Sequence, residues 1–158
     1  MISVRSAVQS DCQAIWEVHI SSIRHVCAGV YSADQIEAWA VPLDPGRYRE
    51  VIDKLVVVVA EEAREVVGFG QLDPARCLVQ AVYVRPDRLR AGVGGALLRE
   101  LENRARSLGC REMRLMSTLN AVPFYRAMGF ERLGDAMHEL ADGTRLPCVD
   151  MKRSLDEV

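Results

Sequence analysis

Between Val82 and Leu97 an apolar run, Val82-Tyr83-Val84, passes through a short basic loop into a segment that opens on Gly92-Val93-Gly94-Gly95-Ala96-Leu97. A strand that turns directly into a glycine-opened helix restricts the chain to folds in which that loop lies at the end of a sheet. The first backbone N–H groups of a helix have no intrahelical partner, and the helix dipole adds partial positive charge there. Gly92, Gly94 and Gly95 remove the side chains that would hold an anion away from those groups. Arg85, Arg88 and Arg90 add three charges close by. Each exposed helix-terminus contact contributes only about 0.3–1 kcal/mol, so several must converge to hold a diphosphate. Glycine spacing alone does not establish this, because glycines open many helices and arginines solvate many loops.

Two nucleotide motifs are testable on the same residues, and both fail. No Lys-Ser or Lys-Thr follows the glycines, as a GxxxxGK[ST] phosphate loop requires. A dinucleotide GxGxxG needs Gly or Ala where Leu97 stands, and no acidic residue ends a strand about 20 residues later.

Periodicity places this junction within a mixed α/β order. Ile2–Val8 alternates apolar and polar residues and predicts an opening strand. Ser10-Asp11-Cys12-Gln13 and Ser32-Ala33-Asp34-Gln35 fit capping boxes for two helices, the second closed by Pro42 and Pro45. Leu55–Ala60 and Glu65–Leu72 read as a hairpin, and Leu78–Val84 as a third strand of that run. From Gly92 to Ser107, Val93, Leu97, Leu101 and Ala105 recur every fourth residue, with Leu98 and Leu108 beside them and Gly109 placed to stop the helix. Glu112–Met116 reads as a strand, Ala121–Met128 as a short helix stopped by Gly129, and Phe130–Leu133 and Arg145–Lys152 as strands. The expectation is one α/β (α+β) domain over residues 1–158, with four helices.

Composition narrows the functional classes. Of 158 residues, 49% are hydrophobic and 27% charged, the profile of a soluble globular chain. A net charge of −2 gives no general attraction to nucleic acid. The N-terminus lacks the pattern of a signal peptide, and no apolar run approaches the ~20 residues that span a bilayer. The five cysteines are scattered, odd in number and without a CxxC pair. They predict free thiols in a reducing cytoplasm, with neither a disulfide framework nor a zinc site. The three histidines form no metal-ligand cluster in sequence, so no metal is expected.

Val84-Arg85-Pro86 followed by Gly92-Val93-Gly94 resembles motif A of the GNAT superfamily of N-acetyltransferases, a strand ending in V-x-P and then Q/R-x-x-G-x-G/A at a helix start. Leu89 departs from the pattern, standing where Gln or Arg is usual, flanked by Arg88 and Arg90. A second signature, N-A-x-x-F-Y-x-x-x-G-F, is matched by Asn120-Ala121-Val122-Pro123-Phe124-Tyr125-Arg126-Ala127-Met128-Gly129-Phe130. Finding the two in order, separated by one helix and one strand, is far more specific than either alone.

The resemblance implies a mostly antiparallel central sheet of about seven strands, splayed between the fourth and fifth, with acetyl-CoA in the gap as co-substrate. It implies cofactor contacts from Val82, Tyr83 and Val84, from Arg88, Leu89, Arg90 and Ala91, and from Gly92, Val93, Gly94, Gly95 and Ala96. Asn120, Pro123 and Phe124 complete that set, although Asn120 is as readily read as a helix cap. The Val84 N–H would polarise the thioester carbonyl during direct attack by a primary amine through a tetrahedral intermediate. Tyr125 is the expected general acid for the thiolate leaving group. Outside this motif it would read as a core aromatic beside Phe124.

The acceptor must lose a proton before it attacks. An alkylammonium of pKa near 10.4 is free base in only about one molecule in 2,500 at pH 7, a cost of roughly 4.6 kcal/mol. Leu78 occupies the position where some family members carry a glutamate base, and Gln80 cannot act as one. His19 and Asp73 are the remaining candidates, each also readable as structural or solvated. Tyr31-Ser32-Ala33-Asp34-Gln35-Ile36-Glu37-Ala38-Trp39-Ala40 resembles a Y-S-x-x-Q-x-x-A-W-A stretch of bacterial members. Tyr31, Trp39 and His19 are therefore expected at the acceptor pocket, with Trp39 equally readable as core. Homodimerisation through a sheet edge is compatible with the family. A CoA-sensing module without catalysis is the alternative function, and a structural domain with accidental motifs a third.

Overall fold

A computed structural model describes residues 1–156. In chain order the elements are β1 (Ser3–Ser6), α1 (Cys12–His25), α2 (Ala33–Ala40), α3 (Arg47–Lys54), β2 (Val56–Glu62) and β3 (Glu65–Asp73). They continue as β4 (Leu78–Val84), α4 (Val93–Ser107), β5 (Glu112–Thr118), α5 (Val122–Ala127), β6 (Glu131–Glu139) and β7 (Arg145–Ser154). The seven strands form one sheet in the order β1-β2-β3-β4-β5-β7-β6. Every neighbouring pair is antiparallel except β4 and β5.

The period-2 strands sort their side chains onto two layers. On β2, Val58 and Ala60 join a core with Leu97, Leu101 and Met113 of α4 and β5, whereas Val57 and Val59 join one with Ile15 and Val18 of α1 and Tyr48 of α3. The sheet is thus covered by α4 on one face and by α1 and α3 on the other. Gly68 on β3 lets α4 lie close, since a Cβ there would stand 2.9 Å from Val93 Cγ1 and 3.0 Å from both Leu97 Cδ1 and the Tyr83 carbonyl oxygen. A third cluster, including Ile23, Tyr31, Ile36 and Leu146, ties α1 and α2 to β7.

Strands β4 and β5 pair only at Leu78–Arg114 and Val79–Leu115, then separate. Arg85 N–H donates to the Val67 carbonyl of β3 at 2.8 Å. Because successive strand amides point to opposite edges, the Val84 and Val82 N–H groups face the gap. The gap is the expected splay.

The structure corrects four expectations. The described residues form five α-helices, because Arg47–Lys54 forms one after the prolines. The first capping box does not form: the Asp11 carboxylate accepts from Val8 N–H at 2.8 Å and pairs with Arg5, so the helix starts from Asp11. The second does form, with Ser32 Oγ accepting from Gln35 N–H at 3.1 Å and Gln35 Oε1 from Ser32 N–H at 2.9 Å. Two cysteines are not free thiols. Cys77 and Cys110 are joined by a disulfide, while Cys12, Cys27 and Cys148 are free and buried. Cys77 precedes β4 and Cys110 precedes β5, so parallel pairing of those strands brings together residues 33 apart in sequence. The fourth correction concerns Leu108, which lies 57% exposed outside the stripe of α4.

Candidate active site

Helix α4 starts without a side-chain cap. Gly92 sits at φ +85°, a left-handed conformation that disfavours other residues, and Ala96 N–H donates back to its carbonyl at 3.1 Å. No acidic residue occupies the first turn. The amides of Val93, Gly94 and Gly95 therefore remain available to an anion. Gly94 faces α5: a Cβ there would come within 3.2 Å of the Phe124 ring.

These amides border a cavity of about 520 Å³ that fills the gap between β4 and β5. Its walls include Val82, Tyr83 and Val84 from β4, Arg88, Leu89 and Arg90 from the loop, and Gly92, Val93, Gly94 and Gly95 from α4. Asn120 and Phe124 close the far side. Of the expected cofactor contacts, Ala91, Ala96 and Pro123 do not line it. Ser22, Val26 and Cys27 of the α1 end, with Thr118 and Ala121, do. Ser22, Val26, Cys27 and Thr118 lie outside both sequence signatures, and Ala121, although within the second, carries no polar group to mark it.

The three arginines are not equivalent. Arg85 is paired with Asp87 at 2.6 Å and Glu65 at 3.2 Å and lies off this cavity. Arg88 lines it while bonding Glu62 at 2.9 Å. Arg90 makes no ion pair among the described residues, so it is the cation of the loop with free charge at the cavity.

Asn120 does not cap a helix: neither the turn Leu119–Ala121 nor α5 has a side-chain cap bond. Its Oδ1 is enclosed without a hydrogen-bond partner. A buried amide oxygen left so costs about 1–3 kcal/mol, which a donor from a bound molecule would relieve. Tyr125 is buried, 6% exposed, with its ring edge-on to Phe124 and Phe130. Burial pushes its phenol above the ordinary 10.0. The hydroxyl has no hydrogen-bond partner among the described residues, and Tyr125 does not line the cavity between β4 and β5.

A second cavity, of about 450 Å³, lies beside the first, on the α1 face. His19, Tyr31 and Trp39 line it, as do Tyr48 and Arg47 of α3. Tyr83 and Thr118 line both cavities. The Tyr31 hydroxyl donates to the Pro147 carbonyl at 2.7 Å and accepts from Leu119 N–H at 3.1 Å. Tyr31 thereby walls the cavity and pins the start of α5 to β7. His19 Nδ1 lies 2.7 Å from the Tyr48 hydroxyl, and its ring stands 4.4 Å from that of Tyr83. Burial, assisted by the nearby Arg47 charge, lowers its pKa from 6.5 to about 3. A histidine so depressed is a poor proton acceptor from an amine. Asp73 bonds Arg76 at 2.9 Å and lines neither cavity.

Known proteins are similar to this chain in sequence and fold. Residues 27–155 match the family model of the acetyltransferase (GNAT) domain. The chain is 28% identical over 130 residues to the uncharacterised N-acetyltransferase YafP of Escherichia coli (strain K12), covering 82% of this chain and 81% of that one. It superposes on the GCN5-related N-acetyltransferase of Rhodopseudomonas palustris with a TM-score of 0.90 at 25% identity, covering 96% and 94% of the two chains. It also resembles the phosphinothricin acetyltransferase (Pat) of Sinorhizobium meliloti, solved in complex with AcCoA: TM-score 0.75, 26% identity, 97% and 88% coverage. With the family model spanning most of its length, the chain belongs to the GNAT family of acetyltransferases.

Proposed function

We propose that the protein transfers the acetyl group of acetyl-CoA to a primary amine, with the donor in the β4–β5 gap and the acceptor in the cavity behind Tyr83. The observation that carries this reading is the open edge of β4. Its Val82 and Val84 amides face a cavity that ends on the uncapped start of α4. An extended amide-bearing arm can pair with such an edge as an added strand. The free amides of α4 suit a pyrophosphate, and the unpaired Asn120 Oδ1 suits an amide donor on the arm. That AcCoA is bound in the S. meliloti relative supports the same use here.

On this reading the Val84 N–H polarises the thioester carbonyl, a hydrogen bond that strengthens as negative charge develops on its oxygen. Tyr125 remains protonated at neutral pH and delivers its proton to the departing thiolate. No carboxylate lines the acceptor cavity and His19 is too weak a base, which leaves water or His138, the other imidazole on the cavity wall, to take the amine's proton. Cys27 lines the donor cavity, but burial pushes its thiol up to about 12, which leaves it no part as a nucleophile.

Two measurements on the full chain test this reading. Acetyl-CoA should raise the melting temperature, and an amine panel should contain members that release CoA thiol. The absence of a carboxylate from the acceptor cavity's lining also favours a second reading, a CoA-sensing module. Stabilisation by acetyl-CoA with no thiol release from any amine would select that alternative.

A further inference from the structure

The acceptor cavity has a charge pattern of its own. Two of its lining residues, Arg47 and Arg76, are cations, and none is aspartate or glutamate. Arg47 has no ion-pair partner among the described residues. Arg76 is held by Asp73, which lies off the cavity, and its side chain is 64% exposed and free to exchange partners. This positive lining belongs to a chain of net charge −2. Arg47 stands beside Tyr48 in the first turn of α3, and both line the cavity. The inner walls, by contrast, are aromatic: Trp39 and Tyr83 meet with centroids 6.4 Å apart.

An amine that enters such a chamber loses solvent from whatever else it carries. A second ammonium would find no counter-charge and two like charges, an unfavourable exchange for its hydration. A carboxylate would find a guanidinium whose paired N–H groups match its geometry. The aromatic wall at Tyr83 adjoins the donor cavity, so the amine belongs beside it and the anionic group within reach of an arginine.

We infer that this cavity takes a primary amine that also carries a carboxylate, an amino-acid-like acceptor, and discriminates against polycationic amines. The inference rests on the reading of this cavity as the acceptor chamber.

The test uses the full chain saturated with CoA. Its probes are the standard α-amino acids, β-alanine and 4-aminobutyrate, each paired with its N-methylamide, together with spermidine. Binding is read by calorimetry and transfer separately by thiol release from acetyl-CoA. At least one acid should bind about tenfold or more tighter than its amide, a preference that Arg47→Gln removes and Arg47→Lys partly restores. Because Arg47 is solvent-exposed, these variants should keep the wild-type melting temperature. Tighter binding of spermidine or of the amides, an acid preference that survives in Arg47→Gln with Arg76→Gln, or no binding by any probe would overturn the inference. Acids that bind with the expected preference but release no thiol would sink the transfer reading and leave the charge selectivity standing.

Discussion

At Asn120 and Tyr125 two neighbouring side chains carry separable parts of the proposed chemistry. Asn120→Ala removes an unsatisfied buried oxygen, so the free protein should not lose stability. Acetyl-CoA affinity should still fall about 5- to 30-fold, the worth of one buried hydrogen bond, in a binding titration. Tyr125→Phe keeps the edge-on rings and removes the acid. Its kcat should drop about 10²-fold or more with KM for acetyl-CoA little changed. An unchanged kcat would return Tyr125 to the role of a core aromatic. The pH profile gives a third check. With water taking the amine's proton, kcat/KM should climb about tenfold per pH unit from 7 toward the amine's own pKa, without a falling limb from Tyr125 before about pH 10. A plateau near pH 7 would instead reveal a protein base.

Among the elements, the junction of β4 with α4 was legible because its information is contiguous. The backbone does the work there, and glycines mark where it must be bare. Helix α3 was not legible: it follows Pro42 and Pro45, lacks a capping side chain, and its apolar stripe is only Tyr48, Val51 and Ile52. Those three at i, i+3 and i+4 were the available signal. The acceptor cavity was only partly legible, because α1, α2, β3 and β6 give it one residue each and α3, β4, β5 and β7 a few, all far apart in sequence. The Cys77–Cys110 bridge was hidden for the same reason, since only the β4–β5 pairing joins its halves. Replacing both cysteines by serine should cost about 2–4 kcal/mol, read as a lower denaturant midpoint. Unchanged stability in the double variant would mean the crosslink is absent in the protein as purified.

For the whole molecule, acid stability should decline in two stages. Burial depresses His19 from 6.5 to about 3, so the unfolded chain binds this proton first as pH falls. Its contribution is complete above pH 6.5 and is lost progressively below it. Asp11, held down chiefly by its bond to Arg5, contributes above its ordinary 3.8, and that contribution is lost at still lower pH. His19→Gln should flatten the decline of the urea midpoint between pH 6.5 and 3.8 while leaving the later loss in place. The common wall of Tyr83 and Thr118 has a kinetic counterpart. Two chambers meeting at one partition let each reactant dock without the other having left, so initial-rate plots should intersect rather than run parallel. A dead-end CoA analogue should then compete with the donor alone.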